Sequence, residues 1–379
     1  MDVHKEAISI NNPLSLVSFQ GKLMAARASE YSRGGALGTV EFLYLDQEAV
    51  LAADVLDMRR AMHVVAGAQA RSAKGEVREP RKIVLRNAET AESEPLGRFN
   101  GLAASIEAPV RSAVGMKWIA SFPANRQLGA PRASGLIILN CPKTGVPLAV
   151  MDAGLISAVR TGAVTGLGVR YLAPKKTRKI GIVGAGLQSR TQILGLCTEL
   201  RDVEEIALFS RQISTAESVA EDCHRRWAAP VRAVRTIEDA LRGADVALTV
   251  TTAQEPLIRA QHIKPGALTI QLAGHEFDFD VILQCKKIVA DDWETVKQRG
   301  IMTPAIMHRR GLLRDEDVQA NLGELILGTK TGREGDERIH FCHMGMGVND
   351  VVLAWAVYET ARERNLGVSL PLWKEPLWV

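Results

Sequence analysis

The chain has 379 residues, 46% of them apolar and 24% charged, an ordinary composition for a globular protein long enough for two domains. Its net charge is only +4 and no basic run stands out, so we expect no nucleic-acid partner. No apolar run reaches the ~20 residues that a membrane helix needs, so we expect no membrane partner either.

The cysteines indicate the cellular compartment. They are five in number, widely spaced and without a CxxC pair: Cys141, Cys197, Cys223, Cys285 and Cys342. This pattern is typical of reduced thiols and not of a disulfide framework. The first ten residues, "MDVHKEAISI", lack the basic-then-apolar pattern of a signal peptide. We therefore expect a cytoplasmic protein.

The first ~150 residues predict a mixed arrangement of strands and helices. Residues 48–70 have helical periodicity, and strand-like runs follow at 81–87, 114–123, 133–140 and 147–153. The last two runs flank "CPKTGV", whose proline and glycine favour a turn, so we expect a meander there.

From about residue 179 to 292, short apolar strands alternate with helical segments. The strand runs are "KIGIVG", "EEIALFS", "VRAVRT", "DVALTVT", "GALTIQLA" and "KKIVADD". Such alternation predicts a mostly parallel sheet with helices on both faces. The chain then becomes helical and ends with "NDVVLAWAVYETARERN", which is apolar on one face. We expect this last segment to return to the first domain.

The stretch "KIGIVGAGLQSR" predicts a dinucleotide site. Its turn residues Gly184, Ala185 and Gly186 are small enough for the backbone to approach a pyrophosphate. Leu187 and Gln188 then open a helix, whose N-terminal N–H groups favour an anion. The pattern alone is weak, but here it joins a strand to a helix within a βαβ series, the context in which it is meaningful.

The end of the second strand bears on the choice of cofactor. An acidic residue there would bind the ribose 2′-hydroxyl of NAD. Here the strand ends in Ser210 and Arg211, and arginine suits a 2′-phosphate. The sequence thus slightly favours NADP over NAD, although Arg211 pointing into solvent stays an open alternative.

Several stretches resemble the ornithine cyclodeaminase/μ-crystallin family: "EPRKIVL", "GMKWIASFPAN", "DAGLISAVRTGAVTGLGVRYLA", "IGIVGAGLQSRTQ", "LGELILGTKTGRE" and "MGMGVNDVVLAWAVY". The resemblance implies an α/β fold with a Rossmann-type doubly wound parallel sheet plus a mixed α+β domain for substrate binding and dimerisation. We assign the NAD(P)-binding domain to residues 154–324 and the other domain to 1–153 and 325–379. A homodimer is expected.

The resemblance also implies roles for particular residues. Arg81 and Arg160 match arginines that bind the substrate carboxylate, and arginine suits this task because it binds carboxylates bidentately. Lys117 matches an active-site lysine beside the reacting carbon. Thr161 matches a position near the cofactor phosphates, and Thr251 and Thr252 match positions near the cofactor riboses.

Two regions depart from the family pattern. Where cyclodeaminases carry an aspartate, this chain has His275, which could act as a general base or cap a turn. Near the C-terminus stands His340-Phe-Cys-His343, but no second ligand cluster accompanies it, so we predict no metal site. Arg98 and Arg132 adjoin the expected site and are candidates for binding further carboxylates.

The implied activity is that of an NAD(P)-dependent oxidoreductase acting on an amino-acid C–N bond through an imine. The run "KWIASFPAN" followed by "PRASGLIILN" is most similar to the N-(2-amino-2-carboxyethyl)-L-glutamate dehydrogenases of siderophore 2,3-diaminopropionate synthesis, which release 2-oxoglutarate. Alternatives within the enzyme class are a ketimine or imino-acid reductase, an alanine dehydrogenase and an ornithine cyclodeaminase. A non-catalytic NADPH- and ligand-binding protein of the μ-crystallin kind is the alternative from another class.

Overall fold

A computed structural model describes residues 38–88, 90, 96–107 and 112–378. The interpretation of residues 1–10 given above, and the start of the first domain, lie outside these ranges. The described strands are β1 Val40–Leu45, β2 Val77–Arg78, β3 Ile83–Asn87, β4 Gly97–Ile106, β5 Ala113–Ser121, β6 Ala133–Asn140, β7 Pro147–Asp152, β8 Lys179–Val183, β9 Glu205–Phe209, β10 Val231–Val234, β11 Val246–Thr249, β12 Leu268–Gln271, β13 Lys287–Ala290, β14 Ala320–Asn321, β15 Ile339–Cys342 and β16 Val368–Trp373. The described α-helices are α1 Gln47–Ala52, α2 Met58–Ala73, α3 Gly154–Leu172, α4 Leu187–Glu199, α5 Ile213–Trp227, α6 Ile237–Leu241, α7 Phe279–Leu283, α8 Trp293–Arg299, α9 Thr303–Arg309, α10 Leu322–Leu327 and α11 Gly347–Glu363.

The prediction of a doubly wound parallel sheet is confirmed. All strands of this sheet run parallel, in the order β10-β9-β8-β11-β12-β15-β13-β14. The chain reverses its direction of travel across the sheet between β8 and β11, and in such sheets ligands bind beyond the carboxyl ends of the strands at that point. The glycine-rich turn after β8 lies there.

One strand of this sheet lies beyond the suggested domain boundary. Strand β15 is inserted between β12 and β13, although residues 325–379 were assigned above to the first domain. The alternation of strands and helices that predicted the other strands ends near residue 292, before β15, whose residues Ile339–Cys342 are all buried. The domain division itself remains a prediction, with this strand on the nucleotide side.

The second sheet is mixed and follows the order β16-β1-β7-β6-β5-β4-β2, with β3 paired to β4. The expected meander through β6 and β7 is present as an antiparallel pair, and Gly145 closes its turn with a φ of 74°. Helix α11 packs against β4, β5 and β6 on one face, which we call the inner face. The opposite, outer face carries exposed apolar side chains.

Helix α3 connects the two sheets and is buried along most of its length. It crosses α4 in backbone contact, since a Cβ on Gly162 would overlap the carbonyl of Thr191, and one on Gly195 would overlap the carbonyl of Gly162. The small residues of "TGAVTGLG" therefore permit close packing that holds the start of α3 beside the glycine-rich turn. No helix in the described ranges has the length and apolar character to span a membrane, and all five cysteines are unpaired.

Candidate active site

The glycine-rich turn has the geometry that a dinucleotide pyrophosphate requires. Gly184 has a φ of 115°, and a Cβ there would lie 2.7 Å from the carbonyl oxygen of Val250. Gly186 is the N-cap residue of α4, and as a glycine it has no side chain to cap the N-terminal N–H groups of that helix. The turn is therefore open on the side where a phosphate would approach.

The proposed ribose-binding residues lie beside this turn. The Gly184 N–H donates to the Phe209 carbonyl over 2.9 Å, which fixes the end of β9 against the turn. Ser210 and Arg211 follow directly, and the Arg211 side chain is exposed. Arg126 approaches from the other domain, with Nη2 at 3.7 Å from the position that a Cβ on Gly186 would take.

A cavity of about 180 Å³ lies beside the turn, at the carboxyl ends of β11, β12 and β15. Its lining residues are Arg160, Thr161, Gln188, Val250, Thr251, Leu272, Ala273, His343 and Met344. The Gln188 Oε1 atom is buried and finds no hydrogen-bond partner among the described residues. The open turn, the cavity and this free acceptor fit a nicotinamide dinucleotide.

The predicted threonines behave differently from one another. Thr161 lines the cavity and donates to the Ser157 carbonyl over 2.7 Å. Thr251 also lines it, but its hydroxyl donates to buried Glu276 over 2.7 Å, so it anchors the loop after β11. Thr252 is exposed and does not line the cavity.

Two of the predicted catalytic residues meet at one buried carboxylate. The Lys117 Nζ lies 2.7 Å from Asp350 Oδ2 and donates to Ser157 Oγ over 2.9 Å. The Arg160 Nε donates to Asp350 Oδ1 over 3.0 Å. Arg160 Nη1 is buried and has no hydrogen-bond partner in the described part of the chain, so it is available to a ligand.

The electrostatics of this cluster favour proton transfer by Lys117. Burial, together with the positive charge of Arg160, lowers the pKa of Lys117 to about 8, and Asp350 opposes that shift. The pKa of Asp350 is lowered, because the charges of Arg160 and Lys117 outweigh its burial. Asp350 is thus an anion that holds two cations, one of which can lose its proton near neutral pH.

The structure does not bring Arg81 to this cluster. Arg81 is exposed, whereas its neighbour Lys82 is partly buried and has a pKa lowered to about 7 by burial and by the charges of Arg299, Lys117 and Arg160. Arg81 and Lys82 lie just before β3, and of the two only Lys82 is partly buried. The role suggested for Arg81 stays a prediction, and Lys82 is the neighbouring cation whose pKa responds to the charges of the cluster.

Two further carboxylates hold the loops around the cluster. Glu79 accepts the Val348 N–H over 3.1 Å at the start of α11, and burial raises its pKa to about 7. Asp291 accepts the N–H groups of Met344 and Gly345 over 3.1 and 2.7 Å, and burial raises its pKa to about 6. These contacts hold the backbone of Gly345 against the guanidinium of Arg160.

The predicted histidine base lies outside the cluster. His275 is partly buried, its ring lies 5.4 Å from that of Phe279, and burial lowers its pKa. The cavity is instead lined by His343, whose Nε2 lies 2.8 Å from Thr165 Oγ1. Burial, with the charge of Arg160, lowers the pKa of His343 to about 3, so it is neutral at physiological pH.

The remaining histidine and the two arginine candidates also have defined places. His340 Nδ1 lies 2.8 Å from Thr269 Oγ1, on the far side of β15 from His343. In the described ranges, no three His, Cys, Asp or Glu side chains cluster as metal ligands would. Arg132 donates from Nε to Ser121 Oγ over 3.3 Å, beside Arg98.

Sequence reasoning missed Asp350, Ser157 and Lys82. The signal for Asp350 was a single acid in the apolar run "GVNDVVLAWAV", where a buried carboxylate requires cationic partners. Ser157 lies one helical turn before Arg160 in α3, so the two share a face of that helix.

The fold and the site together define a class: α/β proteins with a parallel and a mixed sheet that bind a dinucleotide beside a buried lysine–carboxylate–arginine cluster. The chain belongs to the ornithine cyclodeaminase/mu-crystallin family, whose model matches residues 45–365.

Three comparisons describe its relatives. The chain is 33% identical to the alanine dehydrogenase of Archaeoglobus fulgidus over 88% of its own length and all of that protein. It is 30% identical to the N-((2S)-2-amino-2-carboxyethyl)-L-glutamate dehydrogenase of Staphylococcus aureus, over 68% of this chain and 79% of that one. The structure of Thermococcus litoralis Δ1-pyrroline-2-carboxylate reductase with NADH and L-proline superposes with a TM-score of 0.79 and 27% identity, over 86% of this chain and 99% of that one.

Proposed function

We propose that this protein is an NAD(P)-dependent oxidoreductase that acts on the Cα–N bond of an amino acid through an imine. The observation that carries the proposal is the buried contact of Lys117 and Arg160 with Asp350, next to the cavity and the glycine-rich turn. The activities of the family members described above, alanine dehydrogenase and Δ1-pyrroline-2-carboxylate reductase among them, support the same class.

The residues of this chain suggest a division of tasks. A bound nicotinamide would supply the hydride acceptor or donor. Arg160 Nη1 binds the α-carboxylate and so fixes the Cα–H bond in place. The neutral Lys117 amine takes a proton from the substrate nitrogen or from the water that attacks the imine, and it returns the proton in the reductive direction. Asp350 positions both cations.

Among specific substrates we favour N-(2-amino-2-carboxyethyl)-L-glutamate, with 2-oxoglutarate and 2,3-diaminopropionate as products. The resemblance of "KWIASFPAN" and "PRASGLIILN" to enzymes of that reaction supports this choice, as does the 30% identity to the Staphylococcus aureus enzyme. Alanine oxidation and reduction of a cyclic imino acid are the alternatives, supported by the other two relatives.

A product assay separates these substrates. Purified protein is incubated with each amine and NAD or NADP, and with each keto or imino acid and the reduced cofactor. We expect 2-oxoglutarate and diaminopropionate in stoichiometric amounts with the reduced cofactor. Pyruvate or proline would transfer the assignment to an alternative substrate. Tight cofactor binding without turnover on the whole panel would favour a non-catalytic binding protein instead.

We further propose a slight preference for NADP over NAD, supported by the exposed Arg211 after β9 and the lack of an acid there. The test is the ratio of kcat/KM for NADPH over NADH in the wild type and in Arg211→Ser. A charge-assisted hydrogen bond corresponds to about tenfold in affinity, so we expect the ratio to fall by about that factor. A wild type that prefers NADH strongly would contradict the assignment.

A homodimer through the outer face of the mixed sheet completes the proposal. Ile83 and Leu85 of β3 are 56% and 55% exposed, and Leu136 and Ile138 of β6 add to the same apolar face. Sedimentation equilibrium would measure the mass, and Ile83→Lys with Leu85→Lys should yield a monomer. For the compartment we keep the cytoplasm, in keeping with five unpaired cysteines.

A further inference from the structure

A row of cations continues from Lys117 along the inner face. Lys117 of β5 lies opposite Leu102 of β4. Four residues before Leu102, Arg98 lies opposite Arg86 of β3 on one side and Ser121 of β5 on the other. Residues four apart on a strand point to the same face. Arg98 and Arg86 therefore lie on the face that carries Lys117, towards the far ends of β3 and β4.

A further arginine comes from the other half of the molecule. Arg299 ends helix α8, and its Nε atom is buried without a hydrogen-bond partner in the described ranges. Burial and the charges of Arg98 and Arg86 lower its pKa. The charge of Arg299 in turn contributes to the lowered pKa of Lys82. The charge of Arg299 thus acts on Lys82, and the charges of Arg98 and Arg86 act on Arg299.

These cations have no direct acidic partner among the described residues. Among the described ion pairs, none involves Lys82, Arg98 or Arg299. Asn100 lies between Arg98 and Leu102 on β4, is 6% exposed, and its Oδ1 has no hydrogen-bond partner in the described part of the chain. Buried polar atoms are nearly always paired, so this one indicates a missing ligand. If these arginines were ordinary solvated surface residues, the Nε atom of Arg299 would not be buried without a hydrogen-bond partner among the described residues.

We propose that Arg98, Arg299 and Lys82, with Asn100, form a second anion subsite that binds a distal carboxylate of the substrate. This inference rests on the proposed oxidoreductase function and names its substrate class, an amino acid with two or more carboxylates. The α-carboxylate occupies Arg160 Nη1, and a second carboxylate lies between Arg98 and Arg299. Its negative charge relieves the repulsion between cations that come from both halves of the molecule. Asn100 Oδ1 accepts an N–H group of the substrate.

The test compares substrate selectivity in Arg98→Gln and Arg299→Gln. The probes are N-(2-amino-2-carboxyethyl)-L-glutamate, with three carboxylates, and L-alanine and L-proline, with one each. We expect the ratio of kcat/KM for the tricarboxylate over the monocarboxylates to fall at least tenfold in each variant, mainly through KM. The matched control is Arg78→Gln, an exposed arginine of β2 that pairs with Glu107, and its ratio should equal that of the wild type. Melting temperatures verify folding.

A binding experiment keeps the two proposals separate. Calorimetry on the cofactor-loaded protein compares 2-oxoglutarate, a dicarboxylate, with pyruvate, a monocarboxylate. Tighter binding of 2-oxoglutarate that both variants abolish supports the subsite, even in a protein that turns over none of the amines. Turnover with equal selectivity in wild type and variants would refute the subsite and leave the oxidoreductase function intact. Equal binding of the two acids by the wild type also overturns it.

Discussion

Replacing Asp350 by asparagine tests the electrostatic core of the site. The carboxylate is fully buried between Lys117 and Arg160, at 2.7 Å from Nζ and 3.0 Å from Nε. With an effective dielectric constant of about 20, a unit charge pair at that shorter distance interacts by about 6 kcal/mol. An amide retains a hydrogen bond to the ammonium but loses the charge. The pKa of Lys117, about 8 in the wild type, should therefore fall below about 7.

The sign of the effect on rate follows from the role of the lysine. Amine oxidation needs the neutral Lys117 amine, so kcat/KM should rise with pH and level off above about 8 in the wild type. In Asp350→Asn the plateau should begin at least one pH unit lower. In the reductive direction the protonated lysine is needed, and the wild-type rate should fall above that same pH. Rates are measured from pH 6 to 10 with saturating cofactor.

Stability supplies the second readout. Removing one partner of a buried ion pair costs about 3–5 kcal/mol, because Lys117 and Arg160 would keep uncompensated buried charges. The control is Asp54→Asn, which breaks an exposed pair with Arg364 and should change the free energy of unfolding by less than about 1 kcal/mol. A wild-type profile without an ionisation between pH 7 and 9, or one unchanged in Asp350→Asn, would refute the role assigned to Lys117.

Two other substitutions test the surroundings. Gly345→Ala should reduce kcat/KM at least tenfold, because the φ of Gly345 is 82° and a Cβ there would overlap the Arg160 guanidinium. Gly129→Ala is the control for backbone strain alone, because Gly129 has a φ of 70° and open space around it. Arg126→Gln should weaken cofactor binding about tenfold and make it less dependent on salt, since Arg126 Nη2 reaches the Gly186 turn. An unchanged dissociation constant, measured by fluorescence titration with NADH and NADPH, would remove Arg126 from the cofactor site.

Much of the parallel sheet could be predicted because each of its strands is a short apolar run bounded by polar turns. Strand β4, Gly97–Ile106, was missed for the opposite reason. Its run "GRFNGLAASI" contains two glycines, an asparagine and an arginine, which lower strand propensity. Those residues have places only in the folded sheet, where a Cβ on Gly101 would meet Met116, Trp118 and Ile83, and where Asn100 faces the site.

The site was predicted only in part, because its residues come together only in the folded protein. Lys117 and Arg160 were found through motifs, but their common partner Asp350 lies 190 residues beyond Arg160, and only the tertiary fold joins them. The choice between Arg81 and Lys82 depends on which of these two side chains, just before β3, turns inward. A sequence of two adjacent cations cannot specify that, because a shift of one residue exchanges the faces.

The position of the reacting cations relative to the cofactor follows from two rigid contacts of helix α3. Its early residues touch α4 through Gly162, which fixes Arg160 and Thr161 beside the glycine-rich turn. In the same part of α3, Ser157 accepts a hydrogen bond from Lys117, and Arg160 pairs with Asp350. Asp350 belongs to α11, which packs on the mixed sheet. A substrate carboxylate bound by Arg160 is therefore located by both halves at once. Its placement at the cavity depends on backbone packing between helices.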